Sequence, residues 1–515
     1  MKKLLTLLLV LIMSLSAFSL FACGDTGSGS GNGGGETPPG TGNENTIVGT
    51  EGLTYSITGK DENRFASLTG LKADCTEKDI IVASHFEGVK VTTIGSALGR
   101  LNNFNNVESI KIHEGVTNIK ASAFNLSNSV LKTITFDEDC VISIGASAFK
   151  GCPKLETIEF PKKIISVGEG AFERCPSLKT TEYFGAEYLG NEKNPYLFLI
   201  KGMPNETNCK INAGCQIIYS SAFESIIYKR DDKGNPVLNA NGQPVDADGN
   251  ALVDEKGQAK PETIYKLTNI IFESEENLNY IGDYAFRRSQ YLKEIKIPAS
   301  CTGIGIEAFK ENIALEKVIF AEENNKMSKM LNEIFVSCTA LKAVENFEYC
   351  IIEKISDRTF YKCGKLESIV IPNTVKVIGE RVLTNCSSLK SVTFEEDSQL
   401  IEIGTNAFRA CTSLSSIIIP KTVTTIGFDP FVWTNVNRSL VIYCEVTECT
   451  GVYATDRFNN RIGSHAPAGK MENGLALNAN GQWVDPEYLK TYYYSETYKA
   501  GDYWRYVNGV PMPWN

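Results

Sequence analysis

From about residue 95 to residue 431 one alternation of apolar and polar positions recurs along the chain. Each copy opens with Leu-x-x-Ile-x-Ile or Leu-x-x-Ile-x-Phe, passes through Ile-Gly, and closes on Ala-Phe-x-x-Cys. The copies opening at Leu366, Leu389 and Leu414 are the most regular. Ile378-Gly379, Ile403-Gly404 and Ile426-Gly427 mark their middles, and Leu383, Phe408 and Phe431 their ends. Earlier openings include Val107-x-x-Ile110-x-Ile112, Leu131-x-x-Ile134-x-Phe136 and Leu155-x-x-Ile158-x-Phe160. Later ones are Leu267-x-x-Ile270-x-Phe272, Leu292-x-x-Ile295-x-Ile297 and Leu315-x-x-Val318-x-Phe320.

The alternation has a direct physical reading. Period two predicts a short strand with Ile and the next Ile or Phe facing inward. The Gly after Ile is expected to permit a turn. Ala-Phe with Cys three residues on predicts a single helical turn that drops its ring inward. No copy holds enough apolar surface to offset the entropy of ordering it, so only stacked copies fold. The closing rings recur at 23- to 26-residue steps from Phe286 to Phe431, a period that means a solenoid.

Two places break the period. The 51 residues between Phe172 and Phe223 hide one irregular copy at Tyr188–Phe198. The 63 between Phe223 and Phe286 carry an insertion near 226–263. Its Lys233-Gly234, Asn241-Gly242, Asp248-Gly249 and Lys256-Gly257 pairs predict tight hairpin turns and a β-ribbon projecting from the solenoid. The strand-like segment Gly52–Ile57 and the apolar run Asp79–Ala83 read as an amino-terminal cap, and the aromatic-rich tail as a carboxy-terminal one. The expected organisation is therefore a cap at 47–95, a solenoid at 96–440, and a second cap at 441–515. Asn478–Asp485 also repeats Asn239–Asp246 almost letter for letter.

The start of the chain reads as an export signal. Lys2 and Lys3 precede an apolar run that is too short to span a bilayer comfortably. It ends in Leu20-Phe21-Ala22-Cys23, which resembles a bacterial lipobox. Residues 1–22 are then the signal peptide and Cys23 the point of lipid attachment, with an ordinary secretory cleavage nearby as the alternative. Residues 23–46 are almost all small or polar and form a leash with a reach of roughly 25 Å. The net charge of −10 disfavours nucleic acid as the main partner.

Candidate chemistry is sparse. Cys152, Cys175, Cys338, Cys363, Cys386 and Cys411 each follow the closing ring by three residues. They read as a ladder of buried, slowly reacting thiols, while Cys444 and Cys449 could pair. Three dispersed histidines make no metal or catalytic set, and His113 reads as a surface-loop residue. Asp246, Asp248 and Asn250 form a weak calcium candidate, because Gly249 falls at the wrong place for a known calcium loop. The acidic run Glu395-Glu396-Asp397 reads as a solvated loop. No nucleophile elbow or phosphate loop is present, so neither an enzyme nor a cofactor is expected.

Leu389-x-x-Val392-x-Phe394 and Ile403-Gly404-x-x-Ala407-Phe408-x-x-Cys411, with their copies, resemble the BspA-like, or Treponema-type, leucine-rich repeats of bacterial surface proteins. The tail motifs Tyr492–Thr497 and Tyr503–Gly509 are similar to a common ending of that family. The resemblance implies a right-handed leucine-rich-repeat solenoid, with a parallel β-sheet on one face and short helical turns or irregular segments on the other. It also implies surface display and, in some members, adhesion to host or neighbouring cells.

Outward strand positions are then the natural binding face. Ile271, Ile319, Val370 and Ile418 are apolar where a solvated strand would be polar, and Lys296 and Thr393 share the position. They are the candidate strip for a protein partner. A glycan partner stacking on the Tyr492–Tyr506 aromatics is the alternative.

Overall fold

In the computed structural model the described residues are 47–445, apart from 126–129, 247–248, 254–256 and most of 97–105 and 428–439. Beyond them are the strands at 476–477, 483–484, 489–494, 503–507 and 510–513, with Ser495. The signal-like segment, Cys23 and the leash lie outside the described residues, as do Asp248, Cys449 and His465.

The repeats form a parallel β-solenoid of about 14 turns. Take the coil that opens at Leu366. The strand Ser368–Ile371 buries Ile369 and Ile371, and Leu366 is fully buried beside them. After Pro372 the chain turns into the two-residue strand Val377–Ile378. Both strands pair in parallel with their equivalents one coil on, Ile369 opposite Val392 and Ile378 opposite Ile403. Sheets of long strands and sheets of two-residue strands thus run along the body.

The remaining side of the coil differs from the expected helical turn. The helical pieces among the described residues include short 3-10 turns at Asp61–Asn63 and Phe347–Tyr349. Most of the described repeat corners instead place two residues in the left-handed region. In one coil these are Arg381 at φ 55° and Asn385 at φ 63°, and in another Arg358 at 55° and Lys362 at 62°. A helix cannot propagate through them. The conformation aims alternate backbone N–H groups along the solenoid. Arg381, Leu383 and Asn385 donate to the carbonyls of Thr405, Ala407 and Arg409, at 2.8–2.9 Å. The corners are therefore hydrogen-bonded between coils like the strands.

The glycine after Ile also has a different reason from the one expected. Gly404 is not in a left-handed conformation. A Cβ on it would lie 2.6 Å from the Gly379 backbone of the preceding coil, and one on Gly427 2.3 Å from the Thr405 nitrogen. Close approach between coils selects glycine here.

Inside the corners the rings stack face to face. Phe223, Phe286, Phe309, Phe335 and Phe360 follow one another at 5.0–5.5 Å between centroids. Phe124, Phe149 and Phe172 make a shorter column at 5.4 and 5.7 Å. The residue after the opening Leu alternates in charge along much of the array. Lys78–Glu108–Lys132 bridge at 2.9 and 2.7 Å, Glu316–Lys342 at 2.7 Å and Glu367–Lys390 at 2.8 Å. The Lys132 ammonium, then that of Lys78, holds the exposed Glu108 carboxyl down at about 2.

The insertion is a stack of short hairpins bridged at Arg230–Pro236, Leu238–Pro244, Val245–Ala251 and Val253–Ala259. Gly234, Gly242, Gly249 and Gly257 turn them, all at φ between 74° and 87°. Successive hairpins bond to each other eight residues apart, Val237 N–H to the Lys229 carbonyl and Val245 N–H to that of Val237. Asp231 and Asn239 hold their own turns by accepting the N–H groups of Asn235 and Gln243 on Oδ1. In the tail, Leu477 pairs Trp483 as Leu238 pairs Pro244 in the insertion.

At the amino end, strands Leu53–Thr58 and Phe65–Leu71 pair antiparallel, and the second runs parallel to Val89–Ile94. At the other end, Leu489–Tyr494 continues the long-strand sheet from Leu440–Cys444. Near the amino end, His113 is buried rather than on a loop surface. Its Nε2 lies 2.8 Å from the Ala83 carbonyl and its Nδ1 accepts the Gly115 N–H at 3.0 Å. Burial pushes its pKa down.

Candidate binding face

The six outward residues singled out in the sequence fall on one column of the long-strand sheets. Pairing aligns Lys210 with Ile271, Lys296 with Ile319 and then Glu345, Val370 with Thr393, and Ile418 with Tyr443. Period-two geometry keeps the column on one face, since each member is flanked by buried Ile or Val. Ile271 is 45% exposed. Ile319, Val370 and Ile418 are half-buried, and Lys296 and Thr393 are exposed. Glu345 belongs to the same column and was not picked from the sequence; its strand, Ala343–Glu345, lacks an apolar outward residue to mark it.

Charges on the face are paired. Lys296 Nζ lies 2.6 Å from Glu275, and Glu345 lies 3.1 Å from Lys317. The column is thus an apolar strip between neutralised charges. At its carboxy-terminal end a cleft of about 420 Å³ opens beside Thr393 and Ile418. Glu395, Glu396, Asp397 and Glu445 border it, and Tyr506 forms one wall.

Other sequence candidates are placed elsewhere. Trp504 is fully buried, its indole N–H donating to the Cys444 carbonyl at 2.9 Å, so its ring offers no sugar platform. Asp246 is buried against the solenoid, where its carboxylate accepts from Arg288 at 2.8 Å and from the Asn250 backbone at 2.8 Å. The Asn250 side chain donates to the same carboxylate at 3.3 Å. Asp246 and Asn250 thus serve a turn and an ion pair. No cluster of metal-ligating residues occurs among the described residues.

The thiol ladder is real in form. Cys338, Cys363, Cys386 and Cys411 are buried and unbridged. Each thiol donates at 3.1–3.2 Å to the carbonyl of the closing residue one coil back: Phe309, Phe335, Phe360 and Leu383. Burial pushes Cys338 and Cys411 up to about 12. Cys175 departs from the expectation of slow reactivity. It is half-exposed because no regular coil follows it, and a hydrogen bond from the Cys152 thiol lowers its pKa. Maleimide at neutral pH is expected to label Cys175 in minutes while Cys338, Cys363, Cys386 and Cys411 stay unmodified until the chain is unfolded. Peptide mapping that found equal early labelling at Cys363 would refute this.

These features define a bacterial-type leucine-rich-repeat solenoid, a scaffold built as surface. Residues 92–225, 262–352 and 353–451 match the model of the BspA type leucine rich repeat region in six copies, more than half the chain. The chain belongs to that family. No curated protein is significantly similar to it. Among solved structures it is similar to a leucine-rich repeat protein from Bacteroides ovatus at 23% identity. That match covers 77% of this chain and 94% of the other, with a TM-score of 0.34. A leucine rich cell surface protein from Faecalibacterium prausnitzii matches at 19%, covering 77% and 88%, with a TM-score of 0.25. The Treponema pallidum leucine rich repeat protein matches at 15%, covering 61% and 88%, with a TM-score of 0.20. No helix among the described residues is long and apolar enough to cross a membrane.

Proposed function

We propose that this chain is displayed on the outside of a bacterial cell and binds a protein partner along its long-strand face, acting in adhesion and without catalysis. The observation that carries the reading is the column itself. Ile271, Lys296, Ile319, Val370, Thr393 and Ile418 share one outward face, with apolar members where solvent alone would favour polar ones. A lipid on Cys23 would tether the chain, and residues 23–46 would hold the solenoid clear of the membrane.

The strip is tested with Ile319→Glu and Val370→Glu in one chain. Both residues are half-buried on the surface, so the fold tolerates the change while the strip gains two charges. Pull-downs from surface extracts of host and neighbouring cells are expected to lose their captured protein with this variant. Capture equal to that of the unaltered chain, with unchanged melting, would remove the long-strand face from the mechanism.

A further inference from the structure

Three long strands end in a Phe that is followed at once by an acidic loop. The loops are Asp137-Glu138-Asp139 after Phe136, Glu273-Ser274-Glu275 after Phe272, and Glu395-Glu396-Asp397 after Phe394. In the first two, a lysine of the next coil supplies the counter-charge. Lys162 Nζ lies 2.9 Å from Glu138 and 3.2 Å from Asp139, and Lys296 Nζ lies 2.6 Å from Glu275. The third loop differs. Ile418 holds the strand position that Lys296 holds, and Lys421 follows Pro420 as Lys162 follows Pro161. Yet Lys421 makes no ion pair among the described residues, nor do Glu395, Glu396, Asp397 and Glu445.

These four carboxylates converge on the cleft of about 420 Å³ at the carboxy-terminal end of the long-strand face. Glu395 accepts the Asn373 N–H at 2.9 Å, and Glu445 accepts the Lys421 N–H and the Tyr506 hydroxyl, both at 3.3 Å. Such bonds hold the carboxylates in place without neutralising them. Glu396 and Asp397 are exposed. The cleft also has an apolar wall, made by half-buried Phe394 and Ile418 and by the Tyr506 ring, which is 44% exposed. A cation carried on an apolar stem suits both parts of this lining.

We propose that the cleft takes a lysine side chain from an extended segment of the partner protein, as the loops at 137–139 and 273–275 take Lys162 and Lys296 from the array itself. The ammonium sits among Glu396, Asp397 and Glu445, and the methylenes lie on Ile418 beside the Tyr506 ring. The inference rests on the long-strand face as the binding surface, which Thr393 and Ile418 share with the cleft, and it gives that surface a partner chemistry.

The test uses the full chain and a fluorescein-labelled peptide, Pro-Lys-Lys-Ile-Ile-amide, the sequence of residues 161–165. Fluorescence anisotropy is expected to show saturable binding that weakens as salt is raised. A peptide with both lysines replaced by glutamine should bind roughly fivefold or more weakly at low salt. Glu396→Gln with Asp397→Asn, both at exposed positions, should weaken the lysine peptide to a similar degree with melting unchanged. Ile319→Glu, several coils away, should leave peptide binding unchanged and reduce only the capture of partner protein, so the cleft and the face fail separately. Absence of saturable binding would overturn the proposal, as would equal binding of the glutamine peptide or indifference to Glu396 and Asp397. Displacement of the peptide by calcium that binds with its own heat would give the cleft to a metal ion instead. Self-association lost in the Glu396→Gln, Asp397→Asn chain would give it to a second copy, and either result would also overturn the proposal.

Discussion

Phe309→Ala is expected to destabilise the solenoid by ~3–5 kcal/mol, among the largest costs available to one substitution in it. The ring is fully buried and sandwiched between Phe286 at 5.1 Å and Phe335 at 5.4 Å, both nearly parallel to it. Its removal opens a cavity with apolar walls on two sides and strips one stacking partner from each neighbour. The backbone cannot collapse into the space. Phe309 N–H donates to Ile334 and Phe286 N–H to Ala308, so the coil spacing is fixed by hydrogen bonds on every side. Thermal melting of Phe309→Ala beside Ile313→Ala provides the check. Ile313 is 48% exposed two residues past the same corner and should change stability by no more than about 0.5 kcal/mol. Similar melting of the two variants would show that the ring column does not hold the coils together.

What was legible in the sequence follows from local periods, and what was not follows from contacts between coils. Alternation at Ile110 and Ile112, or Ile369 and Ile371, fixes which side of a strand faces inward, so the outward column could be named residue by residue. The corner conformation could not. Residues such as Arg381, Lys362 and Ser337 carry no sign of a left-handed backbone. They adopt it because the hydrogen bonds to the next coil outweigh the local cost. Gly404 was legible as special but not for its cause, which sits in the backbone of Gly379, 25 residues earlier. His113 was misread because the carbonyl that fixes it belongs to Ala83.

Two further signals were present in the sequence and went unused. The position after the opening Leu reads Glu108, Lys132, Glu156, Lys179, and later Lys293, Glu316, Lys342, Glu367, Lys390. Alternating sign along a stack makes each neighbour attractive, whereas a slip by one coil would set like charges side by side. Exposed pairs of this kind contribute little stability. Their effect is on register, which identical apolar coils specify poorly. The second signal is the eight-residue spacing of Val237, Val245 and Val253, with glycines at 234, 242, 249 and 257. It marks the insertion as a small stack in its own right.

Asp246→Ala should release that stack from the solenoid at a cost of ~3 kcal/mol. Asp246 is 1% exposed and Arg288 is 3% exposed. The Arg288 guanidinium donates to Asp246 and to Glu311, while Arg287 lies 3.7 Å from the same Asp246 carboxylate. Removing the aspartate leaves the buried Arg288 with Glu311 alone and takes one of three carboxylates from the half-buried Arg287. Burial pushes the Asp246 carboxyl up. The hydrogen bond from Arg288, the Asn250 N–H and the Arg288 charge outweigh that and hold it below the usual carboxylate value. A depressed pKa means the stabilisation is complete above the unfolded aspartate value of about 3.9 and is lost as pH falls through the folded value. Acid is therefore expected to begin weakening the attachment as pH falls below about 4, and to mimic the substitution fully only below the folded value. Limited trypsin digestion reads both effects, because Lys229 and Arg230 lie at the base of the stack and become substrates when it swings free. Replacing both partners, Asp246→Leu with Arg288→Met, should restore most of the protection, since an apolar pair leaves no cation unpaired. A double variant cut as fast as Asp246→Ala would place the attachment in the hairpin backbone instead of the ion pair.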